Sequence, residues 1–197
     1  MATTIPVPIE FSIPEGWLSV SPDEIGTPNA AFVALRPDTG GDGFTANITI
    51  SGDVRGGDVP LAEVAAEAVE RLRRGAHEVT VGNAQATGTA ANPVYTQPLR
   101  IDADVAGRRR YLVQYQVFMG FPDTADPSRR AVLQIVLSAT PETFQPVFAD
   151  FEEFLATLGP EQGGAPGGGP DAGGPGHGSP GRGGSGHGGP GHGGGSA

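Results

Sequence analysis

The stretch Ala131–Leu158, AVLQIVLSATPETFQPVFADFEEFLATL, sets an apolar strand directly before an amphipathic helix. Ala131–Ala139 is rich in Val, Ile and Leu and is interrupted by Gln134, as expected of a β-strand. Thr140-Pro141-Glu142 then supplies an N-cap, a proline at the first helical position and an acid in the first turn. Phe144, Val147, Phe148, Phe151, Leu155 and Leu158 fall on one helical stripe, and Gly159-Pro160 ends it. Four of the nine phenylalanines (144, 148, 151 and 154) lie here, so the helix is expected to cover one face of a sheet.

Upstream, Leu61, Val64, Ala65, Ala68, Val69 and Leu72 make a second stripe of the same kind. Asp58 is its expected N-cap, Gly75 its stop, and Glu67–Arg71 and Glu70–Arg74 its i,i+4 pairs. Strands are expected at Ile5–Ile13, an edge weakened by Pro6 and Pro8, and at Trp17–Val20 and Ala31–Arg36. Phe44–Ser51 alternates apolar and polar residues, and the Gly- and Asp-rich turn at 37–43 joins it to Ala31–Arg36 as a hairpin. Further strands follow at Glu78–Thr87, Val94–Val105 and Arg109–Met119. A three-residue loop, Ala106-Gly107-Arg108, would place Val105, Ala103, Ile101 and Leu99 opposite Arg109, Tyr111, Val113 and Tyr115. That register puts the apolar residues on one face and sets Asp104 against Arg110. Segregated helices and consecutive hairpins imply an α+β fold, with a mainly antiparallel sheet of about six or seven strands and two packed helices.

Composition divides the chain in two. Residues 159–197 hold 20 of the 33 glycines, and their only apolar side chains are three alanines. Such a segment buries too little surface to offset its ordering entropy, so a disordered Gly/Pro/His-rich tail at 159–197 is expected after a domain at 1–158. The absence of cysteine excludes disulfides, thiolate metal sites and thiol nucleophiles. Net charge is −10 and all twelve basic residues are Arg, a balance unsuited to general nucleic-acid binding. The preference for Arg, Ala, Gly and Pro over Lys is that of a GC-rich, actinobacterial type of genome. Neither a basic n-region nor a long apolar run is present, so a soluble cytoplasmic protein without direct membrane insertion is expected.

Four stretches carry a resemblance: IEFSIPEGW, AAFVALRPDTGGDGFTANITIS, LAEVAAEAVERLR and the 131–158 segment. Together they resemble the LpqN-type family of the PsbP/Mog-like fold over about residues 5–158. Many LpqN-type members are envelope lipoproteins, whereas this sequence has no Cys to acylate. The Eag-type secretion chaperones, which hold apolar segments against a concave sheet, are distantly similar. The resemblance implies a binding subunit or adaptor; it transfers no catalytic residue and implies no cofactor.

Among individual residues, Asp38-Thr39-Gly40 matches the aspartic-protease tripeptide but sits after a proline in a turn-rich segment, and is read as a hairpin turn. His77, between a helix and a strand, is read as a solvent-facing loop histidine without a partner. Arg108, Arg109 and Arg110 could grip an acidic partner or a phosphate; alternatively Arg110 pairs with Asp104 and the others are solvated. Phe118, Met119, Phe121 and Pro122 precede a polar loop at 123–130, and Trp17 lies in another strand-to-loop region. They are read either as a lid over the core or as the lining of a partner-binding groove. In the tail, His177, His187 and His192 are weak metal candidates at most. The function expected is a non-catalytic adaptor or chaperone-like module that captures a peptide or apolar segment of a protein partner. A structural component of a larger assembly and a small hydrolase or metal-dependent enzyme are the alternatives; oligomeric state is not legible.

Overall fold

The computed structural model describes residues 6–160, apart from 25–28, 124–125 and 127. Its centre is an eight-stranded, antiparallel sheet in the order β2-β3-β4-β9-β8-β7-β5, with β6 also pairing β7. The strands are β2 (Leu18–Val20), β3 (Phe32–Arg36), β4 (Ala46–Gly56), β5 (Ala76–Val81), β6 (Gln85–Gly88), β7 (Pro93–Val105), β8 (Arg108–Pro122) and β9 (Arg129–Ala139). Helix α1 spans Leu61–Arg73 and α2 spans Pro141–Thr157. A separate two-residue ladder joins β1 (Ile9–Glu10) to β10 (Gly159–Pro160). Of the edge strand expected over 5–13, the described residues 6–13 keep only Ile9–Glu10, consistent with prolines that remove ladder donors. The segment read as one strand at 78–87 is two, both laid against β7 and separated at Gly82, which accounts for the higher strand count.

The two helices lie on opposite faces of the sheet and toward opposite ends. Helix α1 packs on β5, β7 and β8, whereas α2 packs on β9, β4 and β8. Under α2 lie Ile48, Ile50, Val117, Ile135, Leu137, Phe151 and Phe154. Under α1 lie Phe118, Val132, Leu99, Ile101 and Leu112, in two clusters. Between these clusters, Gln97 donates to Gln116 (2.9 Å) and to the Ala65 carbonyl (3.3 Å), Gln116 to Gln114 (3.0 Å), and Gln114 to Ser138 (3.0 Å).

The hairpin β7–β8 corrects the expected register. Val105 pairs with Arg108, so the loop is two residues, Ala106-Gly107, and Ile101 stands opposite Leu112. Both loop residues have positive φ (51° and 75°), the type I′ geometry whose twist matches that of the strands. Asp104 consequently faces Arg109 in the ladder, not Arg110, while Arg110 turns toward Gly43. Helix α1 also differs from expectation at its start, where Pro60 rather than Asp58 occupies the N-cap position. Its carbonyl accepts from Glu63 (3.0 Å), and its missing N–H removes an orphan donor. Glu67 meets Arg55 (2.9 Å) rather than Arg71, and Glu70 meets Arg73 (2.6 Å) rather than Arg74. Thr140 caps α2 as expected in position, though its hydroxyl meets Thr143 Oγ1 at 3.0 Å.

Candidate functional site

Because α2 covers β9, β4 and β8 on its own face, the same face of β7 and β5 is left uncovered beside it. Side chains alternate along a strand, so Pro98, Arg100 and Asp102 of β7 point to this face together with Tyr111, Val113 and Tyr115 of β8. Glu78 and Thr80 of β5, with Gly82 just beyond it, form one rim, and Pro141, Phe144 and Phe148 of α2 form the other wall. The result is a groove of about 1000 Å³. A smaller depression of about 230 Å³ shares Tyr115 and Phe148 with it and extends the line along α2 to Leu155. From Pro141 to Leu155 the helix rises about 21 Å at ~1.5 Å per residue, which six or so extended residues would match at ~3.3 Å each.

The walls are aromatic. Tyr115 meets Phe148 edge-on with centroids 5.1 Å apart, and Phe144 stacks on Phe148 at 5.4 Å. Tyr111 is 66% exposed, the most open of the groove's aromatic side chains. At the hairpin end, Arg109 donates from Nε and Nη2 to the two oxygens of Asp102, at 2.9 and 2.6 Å. The side chain of Asp102 is only 8% exposed. Chiefly through the Arg109 hydrogen bond, against some desolvation, its carboxyl is held below the ordinary carboxylate range. The guanidinium of Arg109 is correspondingly raised. Arg100, on the floor between Thr80 and Val113, is exposed, and none of the ion pairs among the described residues uses it.

The residues singled out in the sequence are not brought together. Phe118 has no exposed surface and lies beneath α1, among Leu61, Val64, Ala65, Ala68 and Val132. Trp17 is 5% exposed and belongs to the core under α2, so these two rings serve different clusters. Phe121 is half-buried on the face opposite Phe118, because an odd separation along a strand reverses direction. Neither Phe118 nor Trp17 therefore opens onto a groove. Strands β8 and β9 also run to Pro122 and from Arg129, shortening the polar loop. Arg108 and Arg109 are exposed at the hairpin, and Arg109 is the one that reaches the observed groove, through Asp102.

His77 departs from expectation as well. It lies in β5 at the register shift between Ala76 and Glu78, and its Nε2 is 2.9 Å from Asp104 Oδ2. The extra residue of the bulge re-aims the ring toward β7. Asp38-Thr39-Gly40 is a 3₁₀ turn: Thr39 donates to the Arg36 carbonyl (2.7 Å) and accepts from Ala46 N–H (2.8 Å), closing the β3–β4 connection. Among the described residues no group of three His, Asp or Glu side chains is placed to hold a metal ion. His177, His187 and His192 lie outside the described residues. No helix of the described residues is long and apolar enough to cross a membrane.

The crystal structure of LpqN from Mycobacterium tuberculosis, involved in cell envelope biogenesis there, superposes with a TM-score of 0.55 at 14% identity. The match covers 78% of this chain and 84% of that one. The solution structure of cyanobacterial PsbP from Synechocystis sp. PCC 6803 superposes with a TM-score of 0.51 at 15% identity, covering 80% and 89%. The chain has an LpqN/PsbP-like fold. No protein-family model and no curated protein matches it in sequence. The PsbP-like likeness is therefore one of backbone architecture.

Proposed function

We propose that this PsbP-like domain is a non-catalytic binding module that captures an extended, apolar peptide segment of a protein partner in the α2-flanked groove. The observation that carries the reading is an aromatic wall facing a sheet edge. Tyr111, Tyr115, Phe144 and Phe148 offer apolar area, while β5 ends the sheet order at the opposite rim. An edge strand presents outward main-chain N–H and C=O groups, which a peptide can use and a purely hydrocarbon ligand cannot. The Thr80 hydroxyl reaches Glu78 Oε1 only at 3.5 Å, longer than a general base needs, and the Asp102 carboxylate is committed to Arg109, which supports binding rather than chemistry.

The test is site-specific photocrosslinking in the full chain, with p-benzoylphenylalanine replacing Tyr111 and, as a control, replacing Leu18, which is 58% exposed on the far edge strand. Crosslinks from position 111 that map to extended, apolar stretches of a discrete protein support the reading. Equal capture from both positions, or capture of lipid alone, refutes it.

A further inference from the structure

We infer that the captured segment carries a side-chain carboxylate that pairs with Arg100, an inference that rests on the peptide reading above. Two arginines border the groove on its β7–β8 floor, and they are not equivalent. Arg109 is held in a two-point hydrogen bond by Asp102 and has its charge already matched. Arg100 stands between Thr80 and Val113 in the ladder, with Pro98 and Asp102 as its same-face neighbours along β7. Glu78, the other carboxylate on the groove rim, is not within ion-pair distance of it. Arg100 is thus a guanidinium with five donors on the floor of an apolar trough, in a protein whose net charge is −10.

Apolar walls lower the local dielectric, so a carboxylate laid here gains more from Arg100 than it would on open surface. A ligand presenting only hydrocarbon would instead desolvate the guanidinium without compensation. The trough also continues past Tyr115 and Phe148 toward Leu155. A chain passing through such an open trough meets Arg100 with a side chain rather than with its end. The occupant is therefore an extended segment of the form apolar-acidic-apolar, with Asp or Glu over Arg100 and its apolar neighbours against Tyr111, Val113 and Phe148.

The test uses the full chain and a set of acetylated, amidated heptapeptides, Ser-X-X-Glu-X-Pro-Ser with X drawn from Val, Leu, Ile, Phe and Tyr. Each has a twin with Gln for Glu, and binding is followed by NMR titration. The best Glu peptides should bind about tenfold more tightly than their twins, with shifts at Tyr111 and Phe144. Arg100→Gln should erase that preference, so that each Glu peptide binds no more tightly than its Gln twin. Val113→Glu, which places a carboxylate directly across the ladder from Arg100, should erase it independently. Circular dichroism confirms that both variants fold. Equal binding of Glu and Gln peptides overturns the Arg100 assignment and leaves the groove reading standing. A preference shown only by peptides with a free C-terminal carboxylate overturns the side-chain assignment. Arg100-dependent binding of dodecanoate in place of every peptide overturns the peptide occupant, and no binding by any probe removes both proposals.

Discussion

Trp17 donates its indole N–H to Asp150 Oδ2 at 2.9 Å, tying the turn after β1 to the middle of α2. Arg36 Nη1 donates to the same oxygen at 2.8 Å and to the Glu15 carbonyl at 2.8 Å, so one carboxylate holds both the turn and β3. The Gly16 backbone has φ +82°, and a Cβ there would lie 2.9 Å from the Arg36 guanidinium. Asp150→Ala leaves the buried indole N–H without its acceptor, at a cost of about 1–3 kcal/mol. We expect a lower urea midpoint and a red-shifted Trp17 emission before unfolding; an unchanged spectrum would show that the clamp does not position the ring. Asp150→Asn, which keeps one acceptor, should fall between.

Phe118 and Tyr111 separate core from groove. Phe118→Ala empties a fully buried site under α1, a change that costs about 3–5 kcal/mol. Tyr111→Ala removes a ring that is two-thirds exposed and should shift stability by less than about 0.5 kcal/mol. Guanidinium unfolding of the two variants checks this, and the expected order is a large loss for the first and almost none for the second. Similar losses would mean that Tyr111 belongs to the fold rather than to a binding surface.

The difference between these two tyrosine and phenylalanine environments also explains what could be read from the sequence. Both helices, the β3–β4 hairpin and the α+β class follow from periodicity and turn residues, with Thr140 marking the start of α2, because each of those signals is local. The β7–β8 register does not. A register that gathers the apolar residues on one face fails here because β8 is buried on both: Leu112, Gln116 and Phe118 lie toward α1, Tyr115 and Val117 toward α2. Alternation loses its meaning in a strand that passes beneath two helices. The groove was hidden for the same reason. Arg100 joins Tyr111 and Val113 on one face only in the two-residue-loop register, and the groove's wall depends on where α2 lies along the sheet.

The glutamine chain across β7 and β8 tests how α1 is fixed. Gln116→Leu removes the acceptor of Gln97 and the donor to Gln114 in one step, inside a site where both Gln97 and Gln116 are buried. Unpaired buried amides cost about 1–3 kcal/mol, so the single variant should be destabilised despite its added apolar surface. Replacing Gln97 and Gln116 together by Leu should recover part of that loss, and a double-mutant cycle on urea midpoints measures the coupling. An additive cycle would show that the two side chains act independently.

The β7–β8 turn carries a non-glycine residue, Ala106, at φ 51°. Left-handed backbone disfavours a Cβ, whereas Asn tolerates it and Asn-Gly is the preferred type I′ pair. Ala106→Asn should therefore stabilise the domain by up to about 1 kcal/mol, read as a raised thermal midpoint. Gly107→Ala, at φ 75°, should act in the opposite direction although nothing lies within 4 Å of the added methyl. A neutral Gly107→Ala would argue that the loop relaxes to another turn type.

The Asp102–Arg109 pair gives the fold a defined acid sensitivity. Asp102 has its folded-state carboxyl depressed, first by the Arg109 hydrogen bond and further by the charges of Arg109 and His77. A depressed carboxyl contributes stability that is present above its unfolded value, about 4, and is lost as pH falls through the folded value. The urea midpoint of the wild type should thus decline from pH 5 toward pH 2. Arg109→Gln removes the largest cause of the depression, so the variant should be weaker at pH 7 and should show a shallower decline below pH 4. Added salt should narrow the difference at pH 7, since the Arg109 side chain is 61% exposed. Wild type and variant declining in parallel would place the acid sensitivity in other carboxylates and leave Asp102 paired but energetically silent.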